Sequence, residues 1–96
     1  MVQVIVRPNN KKDVLHLLEE SVERKKFSLK FAINQTKKEL SRFEKRYKMK
    51  TNSFYKKFQQ GLLGDKPDFI EWAGEKEILN RLKNQFNQIQ EISFAH

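Results

Sequence analysis

The residues able to perform acid–base or metal chemistry are few and far apart in this chain. The only histidines are His16 and His96, and there is no cysteine. Neighbouring glutamates such as Glu19 and Glu20 point in different directions on a helix. Because no metal-ligand cluster or acid–base pair results, the sequence predicts no catalytic, metal-binding or cofactor-binding residues, and hence a protein that is not an enzyme.

The glycines also fail to form a phosphate-binding loop. Gly61 and Gly64 are separated by two leucines, and Asp65 follows them. The negative charge of Asp65 would repel a phosphate group rather than bind it. The glycines therefore indicate a turn between helices and not a nucleotide site.

Size and composition favour one small domain, residues 1–96. Charged residues make up 33% of the chain, and no apolar run is long enough for a membrane span. Without cysteine we expect a cytoplasmic protein with no disulfide. Residues 1–60 hold 16 Lys and Arg against 6 Asp and Glu, and residues 61–96 hold 4 against 6. This excess of basic residues reflects either a lysine-rich helix surface exposed to solvent or a surface that attracts nucleic acid or an acidic protein.

The spacing of apolar residues predicts an all-α fold dominated by one long helix over 11–48. Positions on one face recur at alternating intervals of three and four residues, with Lys25 or Lys26 and Thr36 filling two gaps between the apolar side chains, and there is no glycine or proline between 9 and 60. The stripe comprises Leu15, Leu18, Val22, Leu29, Ile33, Leu40, Phe43 and Tyr47. Such a helix would be about 57 Å long.

Two more helices should follow and fold back on the first. A short corner helix over 51–60 has three candidate capping residues at its start and ends at Gly61. Pro67 then opens an antiparallel return helix over 67–92. Within it, Gly74 would let the long helix approach closely beside Trp72.

A strand signal occupies residues 2–6, where β-branched residues alternate before Pro8. A single strand is not stable alone, and no second segment of the chain has a strand pattern. We therefore expect this strand to pair with the same segment of another copy, giving a dimer, or with another protein; a frayed or helix-packed tail is the alternative.

The helix lengths predict where a partner would bind. A return helix of about 39 Å leaves the first dozen residues of the long helix without cover. An exposed aliphatic cluster of that size is avoided by soluble monomers. We expect the partner-binding residues to be Val2, Val4, Val6, Val14, Leu15, Leu17, Leu18 and Val22.

Nucleic-acid binding is an alternative. A strand followed by proline and helices is the order found in a ribbon–helix–helix repressor, whose paired strands enter the major groove. That fold requires a turn near residues 24–28. The possible nucleic-acid contacts are Arg7, Arg24, Lys25 and Lys26. Phe31 is expected in the core and not as a stacking platform.

The corner has the most distinctive sequence of the chain. It reads FEKRYKM from Phe43, FYKKFQQGLLGD from Phe54 and DFIEWAG from Asp68. We expect its aromatic residues to form a core and its glycines to shape the backbone. These structural corner residues are Phe43, Tyr47, Phe54, Phe58, Gly61, Leu63, Gly64, Phe69 and Trp72.

Over about residues 43–79 the corner resembles a family of small helical antitoxins from archaeal and bacterial toxin–antitoxin modules, including partners of TumE-like toxins. The resemblance implies a non-catalytic protein that neutralises a toxin encoded beside it. It also implies dimerisation and repression of its own operon. Lys48 stands where the family commonly has glycine, so the long helix is expected to continue further here. A structural helical oligomerisation module remains a further alternative.

Overall fold

The computed structural model describes residues 2–4 and 11–94 and confirms the three predicted helices, each within two residues of its expected ends. The fold is mainly helical, with a short strand near each terminus of the chain. The elements are β1 (Val2–Val4), α1 (Lys11–Tyr47), α2 (Thr51–Gln59), α3 (Pro67–Gln90) and β2 (Ile92–Phe94).

Helices α1 and α3 form an antiparallel hairpin. Phe43 stacks on Trp72 near the corner, and Lys30 lies over the ring of Phe86 further along. Positions closer to the amino end of α1 therefore lie beside positions closer to the carboxyl end of α3, which is the antiparallel arrangement. The resulting molecule is a rod of 59 × 22 × 17 Å.

The core is concentrated at the corner around Trp72, which has no solvent-exposed surface. The ring centroids of Trp72 and Phe54 lie 3.8 Å apart in nearly parallel planes, and those of Trp72 and Phe43 lie 5.6 Å apart. Tyr47 and Phe69 complete the aromatic cluster from its edge. Ring stacking of this kind adds to the free energy gained by burial and fixes the angle at which the helices meet.

The long helix ends earlier than the sequence indicated. Lys48 adopts a left-handed conformation with φ of 52°, and the backbone N–H of Met49 donates to the carbonyl of Glu44 at 3.3 Å. This is the hydrogen-bonding pattern of a helix C-terminus that usually has glycine at the left-handed position. The expectation that Lys48 extends the helix is therefore wrong, because the turn into α2 requires the same backbone conformation whether or not glycine is present.

Helix α2 begins without the side-chain cap that the sequence suggested. Lys50 is the N-cap residue and its side chain makes no capping hydrogen bond. Instead, the carboxylate of Glu44 on α1 accepts from the backbone N–H of Thr51 at 2.8 Å. A negative charge at a helix N-terminus satisfies an otherwise unpaired donor and is favoured by the helix dipole.

The terminal strands pair with each other inside one chain. β1 and β2 run parallel, with Val2 opposite Ile92 and Val4 opposite Phe94. The predicted pairing between two chains is therefore not what the structure shows. The sequence missed β2 because three residues give too weak a strand pattern, and the predicted return helix ended at residue 92, the first residue of this strand.

The amino-terminal end of α1 is less exposed than the helix lengths alone indicated. Helix α1, at 37 residues, is about 20 Å longer than α3, at 24 residues. Leu15, near the start of α1, is nevertheless only 3% exposed.

Candidate interaction surfaces

The predicted partner-binding residues on α1 fall into two groups. Leu15 is 3% exposed within the single chain, which contradicts its expected availability to a partner. Leu18 and Val22 are half-buried, whereas Val14 and Leu17 are exposed. The expected contacts at Val6 and Arg7 lie outside the described residues, as do the side chains of Val2 and Val4.

A different set of apolar side chains is fully available on the outer face of α1. Leu17 is 59% exposed, Phe27 74% and Phe31 58%. At about 100° per residue these three positions span roughly 80° of the helix circumference, well away from the core-facing stripe. We call them the outer stripe. The expectation that Phe31 is a core residue is wrong.

Sequence periodicity does contain a signal for the outer stripe, because Phe27 and Phe31 each lie two positions from Leu29 and therefore on the opposite side of α1. The burial of Leu15, Leu29 and Leu40 confirms which side of the helix is covered. The outer stripe extends over about 21 Å from Leu17 to Phe31. Arg24 and Lys38 are exposed helix-surface neighbours of its aromatic end.

A second surface is a lysine-rich groove that runs between α1 and α3 and continues to the turn between α1 and α2. Three adjoining hollows, of about 300, 420 and 450 Å³, share lining residues and run along one side of the hairpin. We call this the lysine groove. Its cations are Lys30, Lys37, Lys45, Lys48, Lys50, Lys76 and Lys83, and its carboxylate is Glu44.

The charges of the lysine groove are poorly neutralised by the protein. Among the residues that the structure describes, the ion pairs are His16–Glu20, Lys26–Glu23, Arg42–Glu39 and Arg46–Asp68, and none includes a groove lysine. Glu44 is engaged by the N-terminus of α2. The groove therefore carries a concentrated positive charge.

The nucleic-acid contacts predicted from sequence lie elsewhere. Arg24 and Lys25 are exposed on α1, and Lys26 pairs with Glu23 at 3.4 Å. None of the three lines the lysine groove. Residues 24–28 belong to the unbroken α1, so the turn required by a ribbon–helix–helix fold is absent there and that alternative loses its structural basis.

A polar cluster connects α1 to the start of α3. Asp68 accepts hydrogen bonds from the hydroxyl of Tyr47 and, at 2.9 Å, from the guanidinium of Arg46. The Tyr47 hydrogen bond, followed by Arg46, lowers the pKa of Asp68, and Asp68 raises the pKa of Arg46. Separately, burial and then a hydrogen bond to Glu77 raise the pKa of Tyr55. These arrangements attach α3 to the other helices.

The remaining corner residues also support the fold. Phe58 and Leu63 are half-buried and pack against the aromatic cluster. Gly61 and Gly64 both have positive φ, 74° and 77°. The backbone N–H of Leu62 donates to the carbonyl of Lys57 at 3.0 Å, which closes the end of α2.

In the described part of the chain, residues 2–4 and 11–94, no group of three or more acidic or histidine side chains is placed to hold a metal ion. No helix there is sufficiently long and apolar to cross a membrane. Comparison with protein-family models, curated proteins and solved structures finds no match to this chain.

Proposed function

We propose that this chain is a non-catalytic, cytoplasmic protein that binds and neutralises a partner protein, in the manner of the antitoxin in a two-gene module. The observation that supports this function is the outer stripe, where three large apolar side chains lie on a helix face that packs against nothing within the described residues. The resemblance of the corner to helical antitoxins suggests the class of partner.

The area of the outer stripe fits the centre of a protein interface. Covering Leu17, Phe27 and Phe31 would bury roughly 300–400 Å². At about 25 cal/mol per Å² this is worth about 8–10 kcal/mol before the costs of association are subtracted. A standard interface buries about 800 Å² on each side, so the stripe would supply its apolar core, with polar neighbours at the rim.

Charge favours a particular kind of partner surface. The chain carries a net charge of +8, and the cations Arg24 and Lys38 border the aromatic end of the stripe. An apolar patch with an acidic rim would complement this face and would increase the rate of association. A second copy of the chain would bring like charges together and is the less favoured occupant.

The test is co-expression with the product of the neighbouring reading frame. We expect the two proteins to copurify, and we expect this chain to restore growth when the neighbour alone arrests it. The double variant Phe27→Gln/Phe31→Gln should lose both activities while retaining its melting temperature, since both rings are exposed in the free chain.

The matched control is Leu62→Gln/Ile70→Gln, which changes two exposed apolar residues away from α1. This variant should copurify as well as the wild type. If both variants lost copurification equally, the outer stripe would not be the contact surface. Dimerisation of the chain alone through Phe27 and Phe31, without binding to the neighbour, would show a structural oligomerisation module instead.

A further inference from the structure

We infer that the lysine groove binds the phosphate backbone of single-stranded nucleic acid. This inference does not depend on the outer stripe. Around the axis of α1, Lys30 and Lys37 are centred roughly 110° from the outer stripe, which faces away from the core, and Lys45 lies about 21 Å beyond Phe31 along the helix. A partner protein on the stripe would leave the groove open.

The lysines of the groove are regularly spaced along the hairpin. The contacts of Lys30 with Phe86 and of Phe43 with Trp72 set the register between the helices. In that register, Lys83 lies level with Ile33 and Lys76 with Leu40. Lysines from α1 and α3 therefore alternate about every 5 Å over the stretch from Lys30 to the level of Lys76. A regular series of cations suits a polymer with one negative charge in each repeat.

The groove between the two helices is narrow. Packed helices have axes about 8–10 Å apart, which leaves a furrow too narrow for a duplex to enter. A single strand can follow such a furrow with its phosphates facing the lysines, as in other proteins that bind single strands through a basic channel.

The cations of the groove are all of one type. All seven are lysines, and no arginine lines the three hollows. Arginine would hold a carboxylate or a phosphate in a fixed two-point geometry, whereas lysine is a point charge on a flexible stem that can adjust to successive phosphates of a polymer. The same composition predicts binding without sequence preference, because lysines aligned on phosphates do not read base edges.

The experiment measures fluorescence anisotropy of labelled oligothymidylate and oligouridylate of about 15 nucleotides, with the full chain. We expect binding that weakens as salt rises from about 50 to 200 mM, with a logarithmic slope of about −3.5 for five phosphates. The variant Lys37→Glu/Lys76→Glu/Lys83→Glu should bind at least about tenfold more weakly.

The matched control is Lys25→Glu/Lys38→Glu/Lys57→Glu, which gives the same net charge from exposed positions outside the groove. The affinity of this control for the oligonucleotide should fall by no more than about threefold, as expected from the change in net charge alone. Circular dichroism checks that each variant is helical, and the Gln versions replace any Glu variant that unfolds.

Three results would overturn the inference. Equal loss in the groove and control variants would show attraction by net charge alone. Tighter binding of a duplex of the same length would place the contact outside the groove. Displacement of the oligonucleotide by polyglutamate at equal charge concentration would identify an acidic polypeptide as the better occupant. None of these results would change the outcome of the copurification experiment on the outer stripe.

Discussion

The indole N–H of Trp72 on α3 donates a hydrogen bond of 3.1 Å to the hydroxyl of Thr51, the first residue of α2. Both residues are buried, so this bond satisfies a polar group that has no access to water. Trp72 also stacks on Phe54 from the same short helix. A single residue of α3 therefore fixes both the position and the rotation of α2.

Replacing Thr51 with Val should destabilise the protein by about 1–3 kcal/mol. The variant keeps the shape of the side chain but leaves the Trp72 N–H without its acceptor. Chemical unfolding monitored by the fluorescence of Trp72 measures the change. Thr51→Ser keeps the hydroxyl and should cost less; equal stability of the two variants would contradict the importance of the hydrogen bond.

Replacing Lys48 with Gly should stabilise the protein by about 0.5–1 kcal/mol. The left-handed φ of 52° is strained for lysine and free of strain for glycine. Thermal unfolding provides the measurement. Lys45→Gly removes a lysine from inside α1 and should have the opposite effect, a loss of about 1 kcal/mol. If both variants lose stability, the strain at Lys48 is negligible.

Replacing Gly74 with Ala should also stabilise the protein, by about 0.5–1 kcal/mol. A Cβ at this position meets no atom within 4 Å, so the expected close approach of α1 beside Trp72 is not present. Alanine is the better helix former and restricts the unfolded chain. Gly61→Ala, at a φ of 74°, should destabilise in the same assay. A loss of stability in Gly74→Ala would indicate a contact at this position.

The Asp68 cluster should make stability depend on pH in the acid range. Its hydrogen bonds with Tyr47 and Arg46 lower the folded-state pKa of Asp68 below the usual value of about 3.9. The contribution is present above about pH 4 and is lost as pH falls through the lowered pKa. The melting temperature of Asp68→Asn should therefore lie below that of the wild type at neutral pH, and the difference should shrink as the pH falls below about 4.

The control for this pH dependence is Asp65→Asn, which removes one carboxylate from the same connection without contacting Tyr47 or Arg46. Its difference from the wild type should be small at neutral pH. A difference between wild type and Asp68→Asn that stays constant from neutral to acid pH would show that ionisation of Asp68 does not stabilise the fold.

The helices could be predicted from the sequence because their signals are local. Apolar residues at three- and four-residue intervals, Pro67 at the start of α3 and Gly61 after α2 each act through the nearest turn of backbone. The left-handed turn at Lys48 was missed, because a tertiary requirement placed lysine where local preference favours glycine.

The two surfaces differ in how far the sequence could predict them. Phe27 and Phe31 each lie two positions from Leu29 and so on the opposite side of α1, a signal of exposure that the assignment of Phe31 to the core missed. The groove lysines are up to 53 positions apart in sequence, from Lys30 to Lys83, and come together through the antiparallel register.

The sequence by itself determined three helices, their order and the covered face of α1, because caps and apolar periodicity act within one or two helical turns. The tertiary structure alone decided how Phe43, Phe54 and Trp72 meet at the corner, that β1 pairs with β2, and that lysines of α1 and α3 line one groove. Those features depend on distant residues meeting across the hairpin, and local spacing does not encode the angle at which two helices face each other.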